Sequence, residues 1–279
     1  MSRVRVLPFL PIKYNDLICE MIEPFCSFLN KMNYLKDEKM KLYLNGGGCG
    51  KQTLLTYEEI NKIINHNKPV LYIPLAMDEE DHPYDSCYEW IKEEISSIDI
   101  PNIEMVRSFE ELEKKNLDDY SLIYIGGGNT YKLLNGIKKT KTYDKLKKYL
   151  LNDGVVYGSS AGSVIFGKSI DIIGIMDKNE INLTDTKGLN CLNDISVFVH
   201  YTNYKSRLSE EENKNLTKKY TNFITEYTSN NEKVIAIPEE DTIFFDGKNI
   251  RVIGKLPYYI FENGKFSKIT TLMSNDELI

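Results

Sequence analysis

The chain has few of the residues that usually carry chemistry. Its 279 residues include only three histidines (His66, His82 and His200), five cysteines and one tryptophan. The cysteines, at positions 19, 26, 49, 87 and 191, are odd in number and scattered. They form no close metal-type pair, so neither a disulfide framework nor a zinc site is expected, and free thiols suit a reducing cytoplasm. No apolar run reaches the length that spans a bilayer. The apolar stretch near the start is too short for a signal peptide, and Pro8 and Pro11 interrupt it. A soluble cytoplasmic protein with no membrane partner is therefore expected. A basic face is also missing. The net charge is −6, whereas phosphate backbones need a positive surface, so nucleic acid is excluded as the main partner. The short Lys138–Lys141 patch reads as a solvated helix end. Internal repeats, low-complexity tracts and linkers are absent.

What the chain does have is a hydrophobic fraction of 42%, enough for a sizeable core, and a length that suits one large α/β domain with or without an appendage. Residues 1–38 carry Leu17-Ile18, Met21-Ile22, Phe25 and Phe28-Leu29 at helical spacing, which predicts an amphipathic N-terminal helical extension. Whether it would pack on the main domain or on a second subunit is open, and so is a homo-oligomer. From residue 39 to 279 the pattern is regular. Strands are expected at Leu42–Leu44, Val70–Ile73, Ile103–Val106, Ser121–Ile125 and Val155–Tyr157, alternating with helices. That alternation implies a largely parallel sheet with right-handed crossovers. Further strands are expected at Ile195–His200 and Val234–Ile237, with a helix at Thr217–Tyr227 between them. Short strands at Thr242–Phe245, Ile250–Ile253 and Tyr258–Phe261, with Asp246-Gly247 as a hairpin turn, form an antiparallel finish.

Glycine-rich turns gather after these strands, at the edge where such sheets place their sites. The first, Asn45 to Thr53, resembles a P-loop only superficially: Asn45 stands where the first Gly belongs and Gln52 where Ser or Thr should hold Mg²⁺. It reads as a strand-to-helix turn that could border a pocket. The turn Gly158-x-Ser160-x-Gly162 is more telling. It matches the pattern in which a serine sits on a sharp strand-to-helix turn, its neighbours lacking bulk so that the hydroxyl stands clear of the sheet. Ser159 and Ser163 lack glycine at the required positions. Small residues that only let a helix pack closely on a sheet are the competing explanation.

A serine nucleophile needs a base. His66 reads as a surface turn residue and His82, between the acidic run Met77–Asp81 and Pro83, as a helix-start residue. His200 ends the apolar run Val197–Val199 at the same edge as Ser160, and is the favoured base. For the carboxylate that would orient it, Asp171, Asp177 and Glu180 all lie between the two, in the chain order Ser, acid, His.

Ile125-Gly126-Gly127-Gly128-Asn129-Thr130, the Ser160 turn and the His200-Tyr201 strand end, in that order and spacing, resemble the peptidase E (aspartyl dipeptidase) family, which includes the cyanophycinases and has the class I glutamine amidotransferase-like fold. The likeness covers about residues 40–270. It implies a three-layer α/β fold with helices on both faces of the sheet. It also implies a serine peptidase or amide hydrolase acting through an acyl-enzyme, without metal or organic cofactor, on a small peptide or amide substrate, Asp-X dipeptides among them. On that likeness the acid falls on Asp177. The oxyanion donors fall on the backbone of Gly127, Gly128 and Ala161, and substrate contacts on Asn129 and Thr130. Lys205 and Arg207, just past His200, could meet a substrate carboxylate. A non-catalytic member that uses the pocket for binding or sensing is the alternative reading.

Overall fold

The computed structural model describes residues 40–202 and 208–270. The expected extension over residues 1–38 lies outside the described residues. A seven-stranded sheet forms the centre, in the order β3-β2-β4-β5-β1-β8-β9. Its strands are β1 (Lys41–Asn45), β2 (Val70–Ile73), β3 (Ile103–Met105), β4 (Leu122–Ile125), β5 (Val155–Ser159), β8 (Thr242–Phe245) and β9 (Ile250–Ile253). The first five are parallel, β8 pairs antiparallel with β1, and β9 pairs antiparallel with β8 at the edge. Near-continuous apolar runs such as Leu42-Tyr43-Leu44 and Val70-Leu71-Tyr72-Ile73 are wholly buried, as strands covered on both faces must be.

Helices pack around this sheet, giving the three-layer α/β architecture expected from the sequence: α1 (Leu54–Asn61), α2 (Tyr84–Glu94), α3 (Phe109–Lys114), α4 (Thr130–Lys139), α5 (Thr142–Leu151), α6 (Ala161–Val164) and α7 (Glu210–Thr228). In α4, Tyr131, Leu133, Leu134 and Ile137 are buried, the stripe that ties an amphipathic helix to a core. No helix among the described residues is long and apolar enough to cross a membrane.

Three features differ from the sequence expectation. The strands β6 (Ile195–Phe198) and β7 (Lys233–Ala236) leave the main sheet and form a second one with β10 (Tyr258–Glu262) and β11 (Lys265–Ile269), in the order β11-β10-β7-β6. The fourth of these strands was not anticipated, since exposed, charged Lys265–Ile269 has no apolar run to announce it. The helix after Ser160 is a single turn. The carbonyls of Ile165, Phe166 and Gly167 accept from Leu189, Cys191 and Asn190 of the returning chain, which takes the groups a longer helix would need. Finally, α7 starts well before Thr217, because Ser209 and Glu212 form a capping box at its N-terminus.

Candidate active site

β5 delivers Ser160 at its carboxyl end. The serine has φ 52° and ψ −114°, a conformation that non-glycine residues adopt only when the surroundings enforce it. Here they do. A Cβ on Gly158 would lie 2.3 Å from the Gly162 carbonyl oxygen, and one on Gly162 would lie 2.3 Å from that of Ile125. The turn closes only with glycine at both places.

β6 ends at Phe198, and His200 follows with φ 55°. Its N–H donates to the Gly46 carbonyl at 3.1 Å. Gly47, at φ +108°, lies flat against the imidazole; a Cβ there would sit 2.1 Å from His200 Cε1. Only glycine allows both that backbone angle and that approach. Held this way, His200 Nε2 is 2.8 Å from Ser160 Oγ, and Nδ1 is 2.7 Å from Glu239 Oε1. A carboxylate only accepts, so it keeps the proton on Nδ1 and leaves Nε2 to accept from the serine hydroxyl.

The carboxylate beside His200 is thus Glu239, and not Asp177. Asp177 Oδ2 accepts from the Thr130 N–H at 2.8 Å instead. Asp171 takes the hydroxyls of Ser169 and Thr186, and Glu180 is exposed. The reason lies in the second sheet. β6 and β7 are parallel neighbours, so the residues just past their ends lie side by side, and Glu239 follows β7 as His200 follows β6. The order is Ser, His, Glu. The sequence does place an acid two residues beyond the strand Val234–Ile237, but its pairing with His200 depends on β6 and β7 being neighbours, which no local pattern announces.

Gly127 lies against the serine, a Cβ there being 3.2 Å from Ser160 Cβ and 3.7 Å from Oγ. Among the described residues no group accepts from the N–H of Gly127 or Gly128. The Asn129 amide is committed elsewhere: Oδ1 caps α4 by accepting from Lys132 N–H, and Nδ2 donates to the Lys178 carbonyl. Asn129 therefore ties the Lys178 carbonyl to the first turn of α4. Thr130 lines the cavity, and its hydroxyl is buried without a partner among the described residues. Lys205 and Arg207 lie outside the described residues. His66 contacts the Asp99 carbonyl, away from this site. The cavity at Ser160 measures about 340 Å³. Ile173, Ile175, Met176, Val199 and Tyr220 form its walls, with the polar groups of Thr130, Asp177, His200 and Glu239.

The Asn45–Thr53 turn supports this site and is not built as a phosphate loop. Its amides are already taken: Gly46 by the Asp241 carbonyl, Gly48 by the Glu239 carbonyl, Gly47 by Asn45 Oδ1, Cys49 by Gln52 and Gly50 by the Glu94 carboxylate. A nest whose N–H groups are engaged, one of them by an anionic side chain, has nothing to offer an anion.

The model of peptidase family S51 matches residues 42–253. The chain belongs to peptidase family S51. Among its relatives, an uncharacterized peptidase of Listeria monocytogenes is 32% identical over 188 residues, 66% of this chain and 84% of that one. Peptidase E of Shewanella denitrificans is 24% identical over 241 residues, 84% of this chain and 96% of that one. Among solved structures, a Listeria monocytogenes protein described as a candidate peptidase E superposes with a TM-score of 0.59 at 26% identity, covering 77% of this chain and 98% of that one. A peptidase from an acI-B1 Actinobacterium gives 0.61 at 15% identity, with 86% and 96% covered, and shows the shared fold. This S51 chain is a serine peptidase of the peptidase E type.

Proposed function

We propose that this S51 peptidase cleaves a peptide or amide bond of a short substrate by acyl transfer through Ser160. The observation that carries the reading is the continuous chain of contacts from Ser160 Oγ to His200 to Glu239. As Oγ attacks the substrate carbonyl carbon, its proton passes to His200 Nε2, and Glu239 stabilises the imidazolium that forms. The carbonyl oxygen becomes an oxyanion, with the N–H groups of Gly127, Gly128 and Ala161 as its donors. Each such donor typically contributes about 10²–10³ in rate. Collapse breaks the C–N bond, and the leaving amine takes the proton back from His200. Water, deprotonated by the same imidazole, then attacks the ester on Ser160 and releases the acid and the serine.

A cavity of about 340 Å³ suits a dipeptide-sized ligand. Asp-X dipeptides are the substrates proposed first, with Lys205 and Arg207, close after the base in sequence, as partners for the aspartate carboxylate. An activated ester tests the chemistry without knowledge of the substrate. The account expects a burst of one leaving group per chain and one added acyl mass on Ser160, both lost in Ser160→Ala. A folded chain that shows neither with esters nor with Asp-X dipeptides supports the binding protein instead.

A further inference from the structure

Asn45 closes β1 and opens the glycine-rich turn beside the site. Its side chain is wholly buried, and every polar atom it has is used. Its carbonyl oxygen accepts from the Ser160 N–H at 3.2 Å and from Ser163 Oγ at 2.7 Å. Its Oδ1 accepts from the Gly47 N–H at 2.8 Å. Its Nδ2 faces three oxygens, the carbonyls of Glu239 at 3.2 Å and Asp241 at 3.3 Å and the Thr242 hydroxyl at 3.1 Å. The amide orientation is forced, because reversing it would turn an oxygen toward those acceptors and an NH₂ toward an N–H.

These contacts reach the three groups of the proposed mechanism from three different elements. The main chain holds the backbone of Ser160. The amide oxygen holds Gly47, which lies against the His200 ring. The amide nitrogen holds the backbone of Glu239. We infer that Asn45 is a positioning residue that sets Ser160, His200 and Glu239 relative to one another, through an amide that donates on one side and accepts on the other. Ser160 comes from the main sheet, while His200 and Glu239 follow strands of the second. Asn45 is thus a buried hydrogen-bonded link between the two halves of the site. Groups acting on one reacting centre lose rate steeply with small displacements, so the demand on this residue exceeds that of ordinary packing.

This inference rests on the serine-hydrolase reading, and the test separates the two. The measurement is the rate at which a fluorophosphonate probe labels Ser160 in the full chain, across pH, for wild type, Asn45→Ala and Asn45→Asp. Asn45→Ala removes both arms and is expected to label at least about tenfold more slowly. Asn45→Asp keeps the acceptor, and while neutral its carboxyl donates one O–H to the oxygens that Nδ2 faces, so both arms of the link remain. The introduced carboxyl would be as wholly buried as Asn45 is, against the backbone of Glu239 and Asp241, with His200, and Lys51 in the same turn, as groups among the described residues able to carry positive charge. That setting favours the neutral form. The variant is therefore expected to label within about threefold of wild type near pH 6 and to lose labelling as pH rises and the carboxyl ionises, where wild type does not. A merely structural role would not produce that divergence, and it can be read even if the alanine variant fails to fold. A folded Asn45→Ala chain that labels at the wild-type rate, or an Asn45→Asp chain that tracks the wild-type pH profile, overturns the inference. If wild type itself is not labelled, the hydrolase reading fails and this inference falls with it.

Discussion

At the scale of single residues, activation of Ser160 turns on which carboxylate serves His200. Glu239 touches the ring and Asp177 does not, and the two variants should separate cleanly. Glu239→Gln can no longer hold the imidazolium and presents an ambiguous partner to Nδ1. It is expected to lower Ser160 acylation by about 10²–10⁴. Asp177→Asn keeps an oxygen for the Thr130 N–H and is expected to change acylation by less than about threefold. Rates of acyl-enzyme formation measured side by side check both. Ser160 and His200 were legible in the sequence because each sits in a pattern with a physical cause, flanking glycines for one and a strand end for the other. Glu239 was not, since pairing it with His200 requires knowing that β6 and β7 are neighbours. That is a long-range fact, and local pattern does not carry it. Asn45 was visible only as a mismatch to a phosphate loop.

At the scale of elements, the segment between β7 and β8 combines function with a buried charge. Asp241 is fully buried, and its Oδ2 has no partner among the described residues. Burial raises its pKa from the ordinary 3.8 to about 7, with Glu240 adding to the rise and the Lys255 and Leu256 N–H groups opposing it. The folded-state value lies above the unfolded one. The neutral carboxyl's contribution is therefore fully present below pH 3.8 and is lost as pH rises through about 7. Over that window folding stability is expected to fall by on the order of 3–4 kcal/mol from this group alone. Asp241→Asn removes that slope, which denaturant unfolding of both chains near the two ends of the window measures directly. The same segment shows what element-level reading can do. The positions of β7 and β8 followed from their apolar runs, and the turn after β8 from the Asp246-Gly247 pair, where the Asp246 side chain accepts from the Lys248 and Asn249 N–H groups. The sheet each strand joins did not follow, because apolar runs record burial and not partners.

At the scale of the whole molecule, every group assigned to the site lies between Asn45 and Asp241. The family match begins at residue 42, and the compact unit that contains the site spans Lys39–Ile279. A chain that starts at Lys39 is accordingly expected to fold and to give the same burst as the full chain. Loss of the burst in that shortened chain, measured beside its unfolding transition, would assign residues 1–38 a part in the site. The fold class was legible because alternating apolar strands and helices admit few arrangements. The central claim is that His200 activates Ser160 for attack. Fluorophosphonate labelling with peptide mapping, on wild type and His200→Ala, tests it most directly, because the probe reacts with an activated hydroxyl and needs no knowledge of the substrate. The account predicts label on Ser160 in wild type and its loss in folded His200→Ala. Label on another residue, or equal labelling of Ser160 in both chains, would contradict it.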